Sequence, residues 1–185
     1  TKFINIIVIA IFIILINGSK DASALMQCNQ IGDNGVITED TILIDDLTTS
    51  SGDCITFGAD SITLNCQGHI LNIASDSYAI YASNRDSITI ENCETNIIST
   101  YGSGLRFDNT RNSLIKNSVF DSSVGLVGTS TGNVLETNNF NGRVGSYGEH
   151  NTFNNNIFEM SQDLPNLLFI DTNYNNITNN VITGI

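Results

Sequence analysis

The sequence predicts an all-β chain, a solenoid in which short strands stack in parallel, coil upon coil. Three observations predict it. First, one block recurs: a large apolar residue, a polar residue, then usually Asn. It reads Leu64-Asn65-Cys66, Ile90-Glu91-Asn92, Ile115-Lys116-Asn117, Leu135-Glu136-Thr137, Phe153-Asn154-Asn155 and Ile177-Thr178-Asn179. Second, short runs such as Ser61-Ile62-Thr63-Leu64, Ser87-Ile88-Thr89-Ile90 and Ala79-Ile80-Tyr81-Ala82 alternate, the period of a strand with one face inward. Third, no stretch after Ala24 sustains helical periodicity.

The leading segment reads as an address. Phe3 to Ile16 is apolar apart from Asn5, Lys2 precedes it, and Ala22-Ser23-Ala24 has the small-x-small form of a cleavage site. Residues 1–24 are therefore expected to be a secretory signal peptide; an uncleaved membrane anchor is the other reading. The apolar run is shorter than the ~20 residues of a spanning helix, and no second run of spanning length occurs. The chain opens without Met, so one or more leading residues are expected to precede it.

Residues 25–53 lack the Asn-rich block. They hold the turn-like Gly32-Asp33-Asn34-Gly35 and the strand-like Thr41-Ile42-Leu43-Ile44, and are expected to form an N-terminal cap and first rung, because a stack must hide its first open edge. Residues 54–185 carry the repeats. The leading apolar positions are spaced 26, 25, 20, 18 and 24 residues apart. A second apolar position follows at Ile70, Ile97, Val119-Phe120, Phe140, Ile157-Phe158 and Val181-Ile182. A unit of this size cannot bury its own apolar face, whereas stacked copies bury a continuous core. Corner asparagines then form columns too, with side-chain amides bonded along the stack, which accounts for 26 Asn among 185 residues. Compositional bias is the competing explanation of that count, but it leaves the regular placement unexplained. Ile177 to Ile185 is still in repeat, so a continuation of the chain or a partner is expected over the last rung.

Composition narrows the function classes. A formal charge of −12 argues against a nucleic-acid partner, which requires a basic footprint. Cleavage after Ala24 removes Lys2, Lys20 and Asp21, leaving five basic against eighteen acidic residues, a net −13. All four cysteines, Cys28, Cys54, Cys66 and Cys93, remain; export permits disulfides, and four cysteines allow three pairings. Buried free thiols are the alternative. No C-x-x-C occurs, and His69 and His150 stand alone, so an ordinary zinc motif is absent.

The stretch from Gly52-Asp53-Cys54-Ile55-Thr56-Phe57 through Leu64-Asn65-Cys66-Gln67-Gly68-His69-Ile70 resembles the opening rung of right-handed parallel β-helix proteins of the pectin-lyase-like type. Ala79-Ile80-Tyr81 through Ile90-Glu91-Asn92-Cys93 resembles the following rung. The resemblance covers residues 37–185. It implies a right-handed parallel β-helix of about six rungs, in a secreted or surface protein of archaeal or bacterial kind. In such a stack, Cys28 in the cap faces Cys54 at the next rung, and Cys66 and Cys93 are one repeat apart, so these two pairings are expected without the others being eliminated.

The resemblance also implies two reaction types. Inverting hydrolysis needs acids converging about 6.5–9.5 Å apart. Eliminative cleavage of acidic sugars needs a Lys or Arg base, with Ca²⁺ held by carboxylates. Neither motif is present in transferable form. The best local cluster is Arg85, Asp86, Arg106, Asp108 and Arg111. Counting 25 residues per turn puts Arg111 over Asp86 and Asp108 over Ser83, a charged patch suited to glycan. The competing reading is a solvated corner whose ion pairs are each worth about 0–1 kcal/mol. Asp45, Asp46, Asp53 and Asp60 are the candidates for weak Ca²⁺ binding but lack the spacing of a Ca²⁺ loop; no other cofactor or metal is implied. Tyr101, Tyr147 and Tyr174 are candidates for sugar stacking or for ladder positions, and Asn176-Ile177-Thr178 is a glycosylation sequon. The expected role is a secreted or cell-surface module that binds carbohydrate or other surface components without catalysis, with no membrane contact after cleavage. The rivals are a polysaccharide hydrolase or lyase, and a piece of a larger adhesin or surface-layer protein.

Overall fold

The computed structural model describes residues 26–159, 168–170 and 174–184. The expected signal peptide lies outside these residues. The chain winds through three parallel sheets in turn. Sheet 1 stacks Val36–Ile37, Ile55–Phe57, Tyr78–Ser83, Ser103–Asp108, Ser123–Val127, Val144–Ser146 and Leu168–Ile170. Sheet 2 stacks Thr41–Ile42, Thr63–Asn65, Thr89–Glu91, Leu114–Lys116, Val134–Glu136, Thr152–Asn154 and Asn176–Thr178. Sheet 3 stacks Met26–Gln27, Leu47–Thr49, Ile70–Ile73, Glu94–Ile97, Val119–Phe120, Asn139–Phe140, Ile157–Glu159 and Val181–Thr183. This is the all-β parallel solenoid of about six turns that the repeat predicts. The helical content among the described residues is one short 3₁₀ turn, Cys28–Gln30.

Every strand bonds its equivalent one coil later, so identical positions form files. Leu64, Ile90, Ile115, Leu135, Phe153 and Ile177 make one file through sheet 2. These are the leading apolar residues of the sequence block. Those from Leu64 to Phe153 are fully buried. In sheet 1 the inward files are Ile55, Ile80, Leu105, Val124, Val144 and Phe57, Ala82, Phe107, Leu126, Ser146. Burying a Leu, Ile or Phe side chain contributes about 1.5–3 kcal/mol, and the single core is the sum of these files. At the last described coil, Ile177 and Ile182 continue inward files yet are 49% and 61% exposed.

The second apolar position differs from expectation at two coils. The inward file of sheet 3 runs Leu71, Thr95, Phe120, Phe140, Phe158 and Ile182. Ile70 therefore lies one residue off the file, and Ile97 pairs with Ile73 instead. The corner after Leu64 is longer than the corner after Ile90, and strand pairing rather than residue count sets the register. Thr95 is buried at that point, and its Oγ1 accepts the Asp121 N–H at 3.3 Å.

Corners hold the coils together by three chemistries. Disulfides join Cys28 to Cys54 and Cys66 to Cys93, as the stacked-rung reading expects. Further along, hydroxyls take over: Ser118 Oγ accepts the Cys93 N–H at 3.1 Å, and Ser113 Oγ accepts that of Ile88 at 3.2 Å. Beyond these come amides. Asn138 Oδ1 accepts from Ser118 N, Asn156 Oδ1 from Asn138 N, and Asn180 Oδ1 from Asn156 N, at 3.0, 2.9 and 2.8 Å. A parallel ladder runs through Asn133, Asn151 and Asn175. The expected Asn columns thus exist, and their members Asn133, Asn138, Asn151 and Asn156 are buried. Other asparagines, such as Asn92, Asn117, Asn155 and Asn179, turn the outer corner after sheet 2 at φ 52 to 56°, a region Asn tolerates better than most side chains.

Candidate functional site

The five charged residues singled out in the sequence are not one constellation. Asp86 and Arg111 do stack, paired across adjacent coils at the corner after sheet 1, with Arg111 Nε 3.7 Å from Asp86 Oδ2. Asp108 does lie over Ser83. Arg106 Nε donates to Asp108 Oδ1 at 3.0 Å on the outer face of sheet 1. Arg85, however, turns toward the preceding coil: its Nε donates to the Phe57 carbonyl at 3.1 Å and its guanidinium lies 3.7 Å from Asp60. The Asp86 carboxyl is held below its ordinary value, first by the Ser87 hydroxyl and then by the Asn112 amide, with Arg111 a smaller contribution. These are surface pairs, each worth little to stability.

The aspartates weighed for Ca²⁺ do a different job. Asp46 Oδ1 accepts the Ile70 N–H at 3.0 Å, Asp53 Oδ1 that of Tyr78 at 3.0 Å, and Asp60 Oδ1 that of Asp86 at 3.1 Å. Asp45 Oδ1 accepts the N–H of Asp46. Three of the four thus cap a backbone donor one coil above. His69 Nδ1 is 3.1 Å from Asp46, and His150 stacks on Tyr174 at 5.2 Å. Among the described residues no group of three or more His, Cys, Asp or Glu is placed to hold a metal.

The outer face of sheet 1 carries the most organised chemistry. Tyr81, Arg106, Gly125 and Gly145 occupy one outward file on four successive coils. Tyr78 and Tyr81 stack at 5.4 Å, the Arg106 guanidinium sits 5.5 Å over the Tyr78 ring, and the Tyr81 hydroxyl donates to Asp108 Oδ2 at 3.1 Å. Arg106 is therefore fixed from two sides, by a carboxylate and by an aromatic face. Asp108 is the sole carboxylate on the described strands of this sheet.

Beside Arg106 the file drops to glycine. Gly125 and Gly145 form the floor of a depression of about 220 Å³ flanked by Arg106, Arg143, Val127 and Tyr147. Neither glycine has a positive φ, and among the described residues a Cβ would meet its nearest neighbour at 3.8 Å on Gly125 and 3.6 Å on Gly145, ordinary contact distances. Every other described glycine either turns at positive φ or lies where a Cβ would crowd a neighbour at 3.0 Å or less. Glycine in a strand interior costs roughly 0.5–1 kcal/mol relative to alanine. Neither backbone conformation nor a described neighbour thus requires glycine at these two positions, and their missing side chains leave the hollow open. Arg143 is the one cation among the described residues without an ion pair.

Sequence reasoning reached Arg106, Asp108 and Tyr147 but missed Arg143 and the glycine floor. The signal was available: in Ser123-Val124-Gly125-Leu126-Val127 and Val144-Gly145-Ser146 the glycine falls at the outward position of an alternating run. Comparison of the chain with protein-family models, with curated proteins and with solved structures finds no match.

Proposed function

We propose that this solenoid is a secreted or cell-surface module that binds carbohydrate, without catalysis, in the glycine-floored trough on sheet 1. The single observation behind the reading is the pair of strand glycines that neither a positive φ nor a described neighbour requires, next to a fixed Arg106 and to Arg143, which makes no ion pair among the described residues. A sugar presents hydroxyls to planar donors, and Arg106 and Arg143 line the trough as such donors. Asp108 as the one carboxylate on the described strands of this sheet supports binding over hydrolysis, which uses a pair. Two disulfides support an oxidising, extracellular setting.

The test is a polysaccharide panel offered to the wild-type chain, to Arg143→Ala and to Gly145→Val. Retention of at least one polysaccharide by the wild type, weakened about tenfold by either substitution, is the expected result, equivalent to ~1.4 kcal/mol. Equal retention by all three proteins would remove the trough from the proposal. Release of reducing or unsaturated ends would replace the binding module with an enzyme.

A further inference from the structure

We infer that Asn141 is a site of spontaneous covalent modification, losing its side-chain amide to a backbone cyclisation that coil-to-coil bonding blocks at comparable asparagines. An asparagine is consumed when the nitrogen of the following residue attacks its Cγ. An N–H already donating to an acceptor is fixed in direction and kept from the attack. The attack is easiest where the following residue is glycine, which has no Cβ to crowd the ring. The described residues contain two Asn-Gly steps, Asn34-Gly35 and Asn141-Gly142. The Gly35 N–H donates to the Ile31 carbonyl at 2.8 Å, whereas the Gly142 N–H donates to no described residue.

The next most vulnerable steps, Asn followed by Ser or Thr, are guarded in the same way. After Asn112 and Asn117, the N–H groups of Ser113 and Ser118 donate to Asn133 and Asn138 Oδ1 at 3.1 and 3.0 Å. After Asn109 and Asn151, those of Thr110 and Thr152 donate to Ser130 Oγ and the Asn133 carbonyl at 3.1 and 2.8 Å. Asn141 stands outside this protection. Among the described residues its amide is held by one contact, Nδ2 donating to Asp121 Oδ1 at 2.9 Å, while its Oδ1 meets no donor. The glycine after it is fixed by packing, because a Cβ at position 142 would collide with the Ser122 carbonyl. Gly142 also lines an open depression of about 320 Å³ with Asp121 and Arg143, through which water reaches the step.

The Gly142 nitrogen gives its proton to solvent and bonds to Asn141 Cγ. The Cγ–Nδ2 bond breaks, and ammonia leaves with a proton from solvent. Water then opens the cyclic imide at either carbonyl, giving aspartate or isoaspartate. The sum is amide plus water to carboxylate plus ammonium, with nothing oxidised or reduced. The product sets a second carboxylate against Asp121, and isoaspartate adds a backbone carbon just before a residue that has no room for a Cβ.

Ageing the folded, disulfide-bonded chain in mildly alkaline buffer, then mapping its peptides by mass spectrometry with isoaspartate detection, tests this. Conversion at Asn141 is expected to run about tenfold faster than at Asn34, Asn112 or Asn117. In the reduced and denatured chain Asn34 and Asn141 should convert within about twofold of each other, because both precede glycine. Asn141→Gln should lose the isoaspartate signal of the folded protein. No conversion at Asn141 in the folded chain, or conversion at Asn34 just as fast, overturns the assignment. So does a preference for Asn141 that persists after denaturation, since local sequence and not the fold would then set the rate.

Discussion

The carbonyl oxygen of the Asn156 side chain accepts two hydrogen bonds from Asn138, one from its backbone N–H at 2.9 Å and one from its Nδ2 at 3.2 Å. One amide thus clips both the main chain and the side chain of the coil beneath it. Asn138 repeats the arrangement downward, accepting from Ser118 N and donating Nδ2 to the Ile115 carbonyl at 2.9 Å. Both residues are buried, where an unmet donor costs about 1–3 kcal/mol.

Asn138→Ala is therefore expected to destabilise the fold by about 2–3 kcal/mol, since it strands the Ser118 N–H and removes the donor to the Ile115 carbonyl. Asn138→Ser should cost less, because Ser118 already fills this file one coil earlier by accepting the Cys93 N–H. Urea unfolding of both variants would check the order; equal loss in the two would mean that packing, and not the acceptor, carries the position.

Removing a disulfide should act mainly on the unfolded chain. Cys28–Cys54 and Cys66–Cys93 close loops of 26 and 27 residues, for which loop entropy predicts about 3–4 kcal/mol each. The paired substitutions Cys66→Ala and Cys93→Ala are expected to lower the unfolding midpoint accordingly, with the denaturant dependence rising as the unfolded chain expands. An unchanged midpoint would show that the bond contributes no net stability.

Filling the trough should stabilise the protein. Gly145→Val places a strand-favouring side chain at an outward position where a Cβ meets its nearest described neighbour at 3.6 Å, an expected gain of about 0.5–1 kcal/mol. The same substitution is predicted to weaken ligand retention about tenfold, so a thermal melt and a binding assay on one variant should move in opposite directions. A loss of stability would mean that the glycine is structural after all.

The Asp86 carboxyl should titrate below its ordinary value of 3.8. With the folded pKa depressed, its contribution to stability is complete above the ordinary value and fades as pH falls through the lower folded one. Carboxyl-carbon NMR should find the midpoint below 3.8, with Ser87→Ala raising it more than Asn112→Ala, in the order of their effects. A midpoint at or above 3.8 in the wild type would contradict the hydrogen-bonded geometry.

The repeat was readable because the leading apolar residues Leu64 to Ile177 have to share one file, whatever the corner lengths between them. Counting 25 residues also placed Arg111 on Asp86, since both follow the same sheet at neighbouring coils of nearly equal length. The second inward position resisted the same count. Between Leu64 and Leu71 the chain spends two more residues than between Ile90 and Thr95, and a one-residue slip exchanges the faces of a strand. The trough was hidden for a different reason. Gly125 and Gly145 announce themselves by what they lack, and only the register that sets them beside Arg106 gives that lack a shape.

The succession of corner links, covalent near Cys28 and Cys66, hydroxyl at Ser118 and amide from Asn138 onward, gives the spring a weak end and a strong one. Stretched along its axis, the coil should part first among the hydrogen-bonded links from Ser118 to Asn180, while the loops behind the two sulfur bridges release no slack until they are reduced. Optical-trap extension in oxidising and reducing buffer would register this as a difference in released contour length, and a surface-bound chain so built would yield to shear stepwise from one end.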